Sequence, residues 1–459
     1  MSGLNGILNA AKRAMMAQQV GIAVTNHNVS NASTPGYSRQ RVNFETAPDE
    51  KESFGYLGNG VNVGSIQRLN DTFINQQIWT TNYNLGQATQ QGQILNQIQS
   101  SLNEPSDTGL GAMITNFFGS FQNLALNPED SASRNAVVQN TTSMVETFNN
   151  LSSNLQQTKQ DLTPEIKSRV DQINQLLQQI WQSDQNITTL QAGGLEANDA
   201  QDNRDNLIAS LSNLTNIHVH QDNQGATSID IGGTIVESAS GYSTLSAADS
   251  GGQMQILAQG SPQPVDVNSG ELGGILQMVN TTIPKYSGEL DTLASTIIAK
   301  VNAVQSAGFG LGTPPPTGND FFTGTDAGTI AINPAITTSA NNIAASGDGS
   351  PGDNSVALST AAIANDLSMG GGAETISQFY NGIVTDVGAS VQSATNSQQS
   401  QNLVLTQLQN QQNSVSGVST DEEMVNLIQF QKGFDSAAKV ITTVNDMFES
   451  LLNMLTITG

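Results

Sequence analysis

The sequence predicts a mainly α-helical protein with a β-rich insertion: a terminal α-helical coiled coil, a long helical bundle and an outer β domain, discontinuous in sequence. Two observations predict it. Apolar residues recur every seven positions at both ends of the 459-residue chain and again inside it, whereas residues 217–268 and 308–355 break that period. A seven-residue apolar repeat marks helices that supercoil on partners rather than cover a globular core. The implied division is 1–44 with 416–459 as a terminal assembly unit, 45–214 with 270–307 and 356–415 as the bundle, and 215–269 with 308–355 as the outer insertion.

At the start, Leu8, Met15, Ile22 and Val29 recur every seven residues, with Leu4 and Ala11 on the alternate seam position. Near the end, Leu427, Phe434, Ile441, Phe448 and Leu455 do the same, with Met424, Ala438 and Leu452 beside them. Thr420 followed by Glu423 has capping-box spacing, so the last helix is predicted to begin there. Gln431 and Asn445 occupy seam positions, where a polar side chain fixes register at some cost in stability. Residues 1–44 hold Lys12, Arg13, Arg39 and Arg41 and no acid, whereas residues 416–459 hold six acids against Lys432 and Lys439. Opposite signs predict that the two helices pair with each other. Their apolar seam is thin, so the pair is expected to become firm only against neighbouring subunits.

Inside the chain, Ile74, Thr81, Ala88, Leu95 and Leu102 form one heptad seam and Ile166, Ile173, Ile180 and Ile187 another. Thr163-Pro164 reads as the N-cap and first residue of that second helix. Residues 130–160, 198–214, 356–367, 374–413 and a segment from about Pro284 complete a long helical bundle. The alternating runs at Ile217-His-Val-His, Ser228-Ile-Asp-Ile and Thr234-Ile-Val-Glu, punctuated by Gly232-Gly233 and Gly251-Gly252, predict hairpins. Residues 308–355 are rich in Gly, Pro, Thr and Asn, and both stretches are expected to be flexible and outward-facing.

Composition excludes several functions. Fifteen Lys and Arg against 39 Asp and Glu give a net charge of −24, which repels phosphate backbones and argues against nucleic-acid binding. There is no cysteine, so disulfides, thiolate metal sites and Cys nucleophiles are excluded. No apolar run approaches a membrane span. Lys12 and Arg13 follow the first apolar residues rather than precede them, so no cleaved signal peptide is expected. There is no HExxH, phosphate-binding loop or GxSxG elbow. His218-Val-His220 lacks a third zinc ligand and reads as a solvent-facing strand edge. Catalytic, metal and cofactor-binding residues are therefore expected to be none.

Two motifs carry a resemblance. Asn26-His-Asn-Val-Ser-Asn-Ala-Ser-Thr-Pro-Gly-Tyr37 follows the basic first helix, and Asp421-Glu-Glu-Met-Val-Asn-Leu-Ile-Gln-Phe-Gln-Lys-Gly-Phe434 opens the last. Both resemble the signatures of the rod, hook and hook-associated axial proteins of the bacterial flagellum. The motif positions are Asn31, Thr34, Pro35, Gly36, Tyr37, Ser38 and Arg39, with Asp202, Arg204 and Asp205 from an internal DxRDxL element. That element and Ser269-Gly-Glu-Leu-Gly-Gly-Ile-Leu276 narrow the resemblance to the hook-associated branch. The chain departs from the usual pattern at Ser419-Thr420, Phe430 and Phe434, without disturbing the seam.

The resemblance implies a non-enzymatic structural protein at the junction of hook and filament, exported unfolded through the flagellar type III channel. Its implied partners are the hook protein, the next hook-associated junction protein, further copies of itself in a ring, and an export chaperone on the C-terminal helix. It implies a secreted, extracellular location. A hook or filament subunit, or a secreted adhesin or enzyme, is the alternative. Thr34-Pro35-Gly36-Tyr37 is suited to redirect the chain between layers. A Gln-rich surface over residues 87–99 is expected to allow sliding at the joint.

Overall fold

The computed structural model describes residues 2–52, 55–221 and 227–457. Helix α1 (Ser2–Ser30) leads into a hairpin in which β1 (Gln40–Thr46) pairs antiparallel with β4 (Val61–Arg68), and the short strands β2 (Glu50–Glu52) and β3 (Gly55–Leu57) pair at its tip. The alternation Val61-Asn-Val63 and Arg41-Val-Asn-Phe44 is a period-two signal that the helical reading of this stretch passed over. Four helices follow: α2 (Thr72–Leu102), α3 (Leu110–Leu126), α4 (Ser131–Ala192) and α5 (Asn198–Leu214).

Helix α4 runs 62 residues without a break, so Thr163-Pro164 does not start a helix. Pro164 costs one backbone hydrogen bond, but Leu162 and Ile166 on either side of it are both buried, and packing carries the helix through.

The first β segment makes two sheets. Strands β5 (Ile217–Gln221), β6 (Thr227–Ile231), β7 (Thr234–Ser238) and β8 (Gly241–Tyr242) form a four-stranded meander. Strands β9 (Leu245–Ser250), β10 (Gln253–Ala258) and β11 (Pro264–Val265) form a second sheet. Helix α6 (Gly270–Gln277) then passes through a π-helical turn, Met278–Thr282, into α7 (Ile283–Gln305). Within that turn Asn280 both donates to Met254 O and accepts from Met254 N, at 2.8 Å each, which pins β10 to the bundle.

The second β segment holds only β12 (Phe322–Thr323) and β13 (Ala331–Ile332), with the short helix α8 (Pro334–Thr338) after them. It is not an outward layer. Phe321 and Phe322 are buried against Phe117 and Phe121 of α3, with ring centroids 5.5–6.0 Å apart in three contacts. Buried Arg134 of α4 donates to the carbonyls of Pro128 and Ile343, at 2.8 Å each. The two β segments also anchor at separate places on α4. Asn174 Nδ2 donates to Leu245 O, while Asn149 Nδ2 donates to Ile330 O. At 1.5 Å per residue those anchors stand roughly 40 Å apart, so the two β segments attach to the bundle at separate places.

Helix α9 (Ser355–Ala362) and helix α10 (Ile376–Ser416) complete the bundle, and α11 (Thr420–Ile457) ends the described chain. Helix α10 starts with a true capping box, Thr375 with Gln378, and lies antiparallel along α2. Gln87 and Gln91 bond to Gln277, Gln97 bonds to Thr158, and Gln90 is buried. The Gln-rich stretch thus binds the bundle to itself, contrary to the sliding surface expected of it.

One continuous core runs from Ile94 to Ala394 through both β segments. It contains no residue of α1, the hairpin or α11. No helix among the described residues is long and apolar enough to cross a membrane.

Candidate assembly interface and its polar joint

Helices α1 and α11 form an antiparallel pair with a simple register. Asn28 bonds Glu423, a Cβ on Gly21 would meet the Phe430 ring, and a Cβ on Gly433 would meet Gln18. Each pair of numbers adds to 451, so Ser2 stands level with Glu449.

The face of α1 that buries itself carries small residues: Ala17, Gly21, Val24, Thr25 and Asn28, with Ala11 from the predicted set. Leu4, Leu8, Met15, Ile22 and Val29 are only half-buried. Two helices in close approach need small side chains between them, so the large heptad residues flank the contact instead of forming it.

On α11 the stripe Leu427, Phe434, Ile441 and Phe448 is half-buried, and the buried residues beside it are Glu423, Ala437 and Val444. Met424, placed in the seam by its spacing, is 50% exposed, and Ala438 is half-buried. Leu452 is 62% exposed because it lies past the start of α1. The side chain of Leu455 lies outside the described residues. Gln431 and Asn445 are exposed and do not set the register.

The helices do not hold each other by charge. Among the described residues no ion pair joins α1 to α11 directly. The pairing falls instead to Arg39, beyond the end of α1, which binds Glu423 at 2.6 Å and Glu422 at 2.8 Å. Glu423 therefore does not cap its helix. Ser419 Oγ takes that role, accepting from the Glu422 N–H at 3.4 Å.

These contacts belong to a polar joint where α1, β1, β4, α5, α10 and α11 meet. Asn28 is buried and makes four hydrogen bonds: its amide donates to Gln40 O and Glu423, and its Oδ1 accepts from Gln40 N and the Tyr37 hydroxyl. Such a side chain has two donors and two acceptor lone pairs, so it is satisfied. Thr34 to Tyr37 is a turn closed by Tyr37 N donating to Thr34 O, with Gly36 at φ +75°. A Cβ on Gly36 would strike the Asn206 side chain of α5. Both the positive φ and the close approach require glycine there. Asn31 donates to His27 O and accepts from Thr34 Oγ1.

The second half of the joint is the start of α5. Ser38 N donates to Asp202 at 2.8 Å, and Arg68 of β4 binds both Asp202 and Asp205, at 2.9 and 2.8 Å. Gln40 Nε2 donates to Asp199 at 2.7 Å. Arg204 turns the other way, to buried Asp184 of α4 at 2.9 Å. Arg39 N donates to Ser416 O, which ties in the end of α10. Burial pushes the Tyr37 phenol up, and Asp199, Asp202 and Glu423 push it further. Burial also raises Asp202, opposed by the Ser38 N–H and Arg68.

The family-motif residues thus converge from three separated stretches of sequence, and Asp202–Asp205 fasten the bundle to the α1–hairpin connection. Sequence reading passed over Arg68, Asp199 and Asn28 as members. Only Asn28 left a local signal, a polar residue seven positions from Gly21 on the small-residue face. His218 and His220 flank Asp230, at 3.6 and 2.8 Å, on an exposed strand edge. No metal-holding cluster of three His, Asp or Glu is found among the described residues.

This architecture defines a structural assembly protein: a rigid bundle holding, through a charged joint, a helix pair with apolar residues on its outer surface. Comparisons agree. A family model described as the flagellar hook-associated protein FlgK helical domain matches residues 95–322, and one described as the flagellar basal body rod FlgEFG protein C-terminal matches 409–454. Flagellar hook-associated protein 1 of Bacillus subtilis is 27% identical over 98% of both chains. The Escherichia coli protein of that name is 24% identical over 98% of this chain and all of its own. The solved flagellar hook junction protein FlgK from Burkholderia pseudomallei has a TM-score of 0.64 at 15% identity, over 74% of this chain and all of that one. The chain belongs to the flagellar hook-associated protein 1 family.

Proposed function

We propose that the protein is a subunit of the hook–filament junction, exported unfolded by the flagellar type III route and assembled outside the cell as a ring of copies. In this reading α1 and α11 line the inner layer, with hook protein on one side and the next junction protein on the other. The boundaries 1–44 with 416–459 mark the assembling unit. An export chaperone covers α11 beforehand, since an exposed apolar stripe of this length invites aggregation.

The observation that carries the proposal is the exposure of the pair's apolar residues in a lone copy. Ile7, Met16, Met424, Val425, Ile428, Met447 and Leu451 are each more than two-fifths open to solvent. A monomer has no use for such a surface, whereas a subunit covered on several sides does. Cells lacking the protein should carry intact hooks without filaments, seen by electron microscopy of sheared appendages. Normal filaments on such cells would overturn the proposal.

A further inference from the structure

Glu237 of β7 is an acid that neither the core nor the polar joint provides for. It is buried, and neither carboxyl oxygen has a hydrogen-bond partner among the described residues. A β-bulge turns it inward. Ile229 of β6 pairs with Glu237 and Asp230 with Ile235, so Val236 is an extra residue between them. Such a bulge re-aims side chains. Ile235 is 63% exposed, whereas Val236 and Glu237 in succession are 1% exposed. His218 and His220 flank Asp230, the register partner of outward Ile235, and belong to the other face of the sheet.

The charged groups that act on Glu237 are Asp184 of α4 and Arg204 of α5. Arg204 is already shared, binding Asp184 Oδ1 at 2.9 Å and touching Asp205 at 3.5 Å. Arg68 holds Asp202 and Asp205 in turn. Four carboxyls, none more than 17% exposed, thus stand against two guanidiniums. An ionised Glu237 is then a buried charge without a cation of its own, which is costly. Asp184 Oδ2 is buried too and has no partner. A carboxylate only accepts hydrogen bonds, whereas a neutral carboxyl adds one O–H donor. One proton on Glu237 supplies the donor that both groups lack. Burial and Asp184 act in the same direction, pushing Glu237 up to about 8.

We infer that this proton latches the β7–β8 hairpin to the bundle, the Glu237 hydroxyl donating to Asp184 Oδ2, and that its loss to solvent lets residues 234–242 open while α3 and α4 stay packed. Little else holds the hairpin. Val236 is its single buried apolar residue, and β8 is a two-residue strand at the sheet edge. Tyr242 packs beside Trp181 of α4 with rings 5.9 Å apart, and Ala239 O accepts from Gln185 at 3.3 Å. The folded value lies above the unfolded one, so the latch is fully closed below the ordinary Glu range. It weakens as pH rises from 4.5 to about 8, by up to about tenfold in the opening equilibrium per pH unit. The latch works inside a single copy and stands whether or not copies assemble.

Hydrogen exchange of the full chain, corrected for intrinsic rates, reads the opening directly. Between pH 5.5 and pH 7.5, protection of residues 234–242 should fall at least tenfold. Glu237→Gln keeps a donor at every pH, so there the change should be less than twofold. A fall that persists in the variant would overturn the latch. So would equal protection of residues 234–242 and α3 at every pH, since only global unfolding would then expose Glu237. A second measurement does not depend on exchange. Infrared difference spectra of wild type against Glu237→Gln should show the carbonyl band of one neutral buried carboxyl at pH 7, lost at pH 9. Absence of that band at pH 7 would mean an ionised Glu237 and no latch.

Discussion

The bundle core and the terminal pair solve opposite problems with similar helices. In the core, Phe117, Phe118, Phe121, Phe321 and Phe322 interlock with rings 4.9–6.0 Å apart and at most 2% exposure. In the pair, the buried contact is built from alanine, glycine and valine, and the large apolar residues lie at its flanks or outside it. Aromatic burial contributes stability through area, whereas small residues contribute closeness and leave the large side chains for another molecule. A helix pair designed for its own stability would have been arranged the other way round.

The strongest way to sharpen that contrast is to hollow the core. Phe117→Ala empties a fully buried site among four other rings and is expected to cost about 3–5 kcal/mol, read as a lower urea midpoint with an unchanged slope. A loss below about 1 kcal/mol would mean that the aromatic cluster is not the bundle's anchor.

Next in size is a buried acid. Glu237 of β7 is 1% exposed, and neither carboxyl oxygen has a hydrogen-bond partner. Burial, with Asp184 beside it and only partly offset by Arg204, pushes it up to about 8. Its folded value lies above the unfolded one, and the neutral form is the one the fold favours. The bundle should therefore be most stable below the ordinary Glu range near pH 4.5. It should lose stability as pH rises through that range, by about 3 kcal/mol at pH 7, and level off above pH 8. Glu237→Gln should flatten the slope between pH 5 and pH 8, measured by urea unfolding at each pH. A slope unchanged in the variant would assign it to other groups.

The same contrast explains what could be read in advance. Heptads at Leu427, Phe434, Ile441 and Phe448 were legible because large residues at fixed spacing stand out, and α11 does begin at Thr420. The companion stripe was not. Size suggested Met424 and Leu452, while the structure uses Glu423, Ala437 and Val444, because alanine carries little hydrophobic signal yet fits a close helix contact. The turn at Pro35-Gly36 was legible from residue type alone. Its partner Asn206, and the Arg68 clamp on Asp202 and Asp205, were not, since they depend on contacts across more than 130 positions. The aromatic cluster escaped notice for the same reason: Phe117 and Phe321 lie in segments that look unrelated.

A third test asks whether the two regions are one cooperative unit. Asn28→Ala removes four hydrogen bonds at the joint and leaves the Tyr37 hydroxyl and Gln40 backbone without those partners. The expected cost is about 2 kcal/mol, confined to the terminal pair. It should appear as faster amide exchange along α1 and the first turns of α11, with the bundle's urea midpoint unmoved. If the midpoint falls as well, the pair and the bundle melt together and the separation of the core from α1 and α11 has no energetic meaning.

The smallest effect on stability is the one expected to matter most to the flagellum. Ile428 is 54% exposed on α11, and serine has a similar helix propensity. Ile428→Ser should therefore change the unfolding free energy of the lone chain by no more than about 0.5 kcal/mol. In a cell, however, its apolar surface is the part a neighbouring subunit is expected to cover. Filament number should fall several-fold while the purified variant melts like the wild type. The reverse result, normal filaments with a destabilised monomer, would mean that Ile428 supports its own helix rather than a neighbour, and the terminal pair would then obey the same logic as the core.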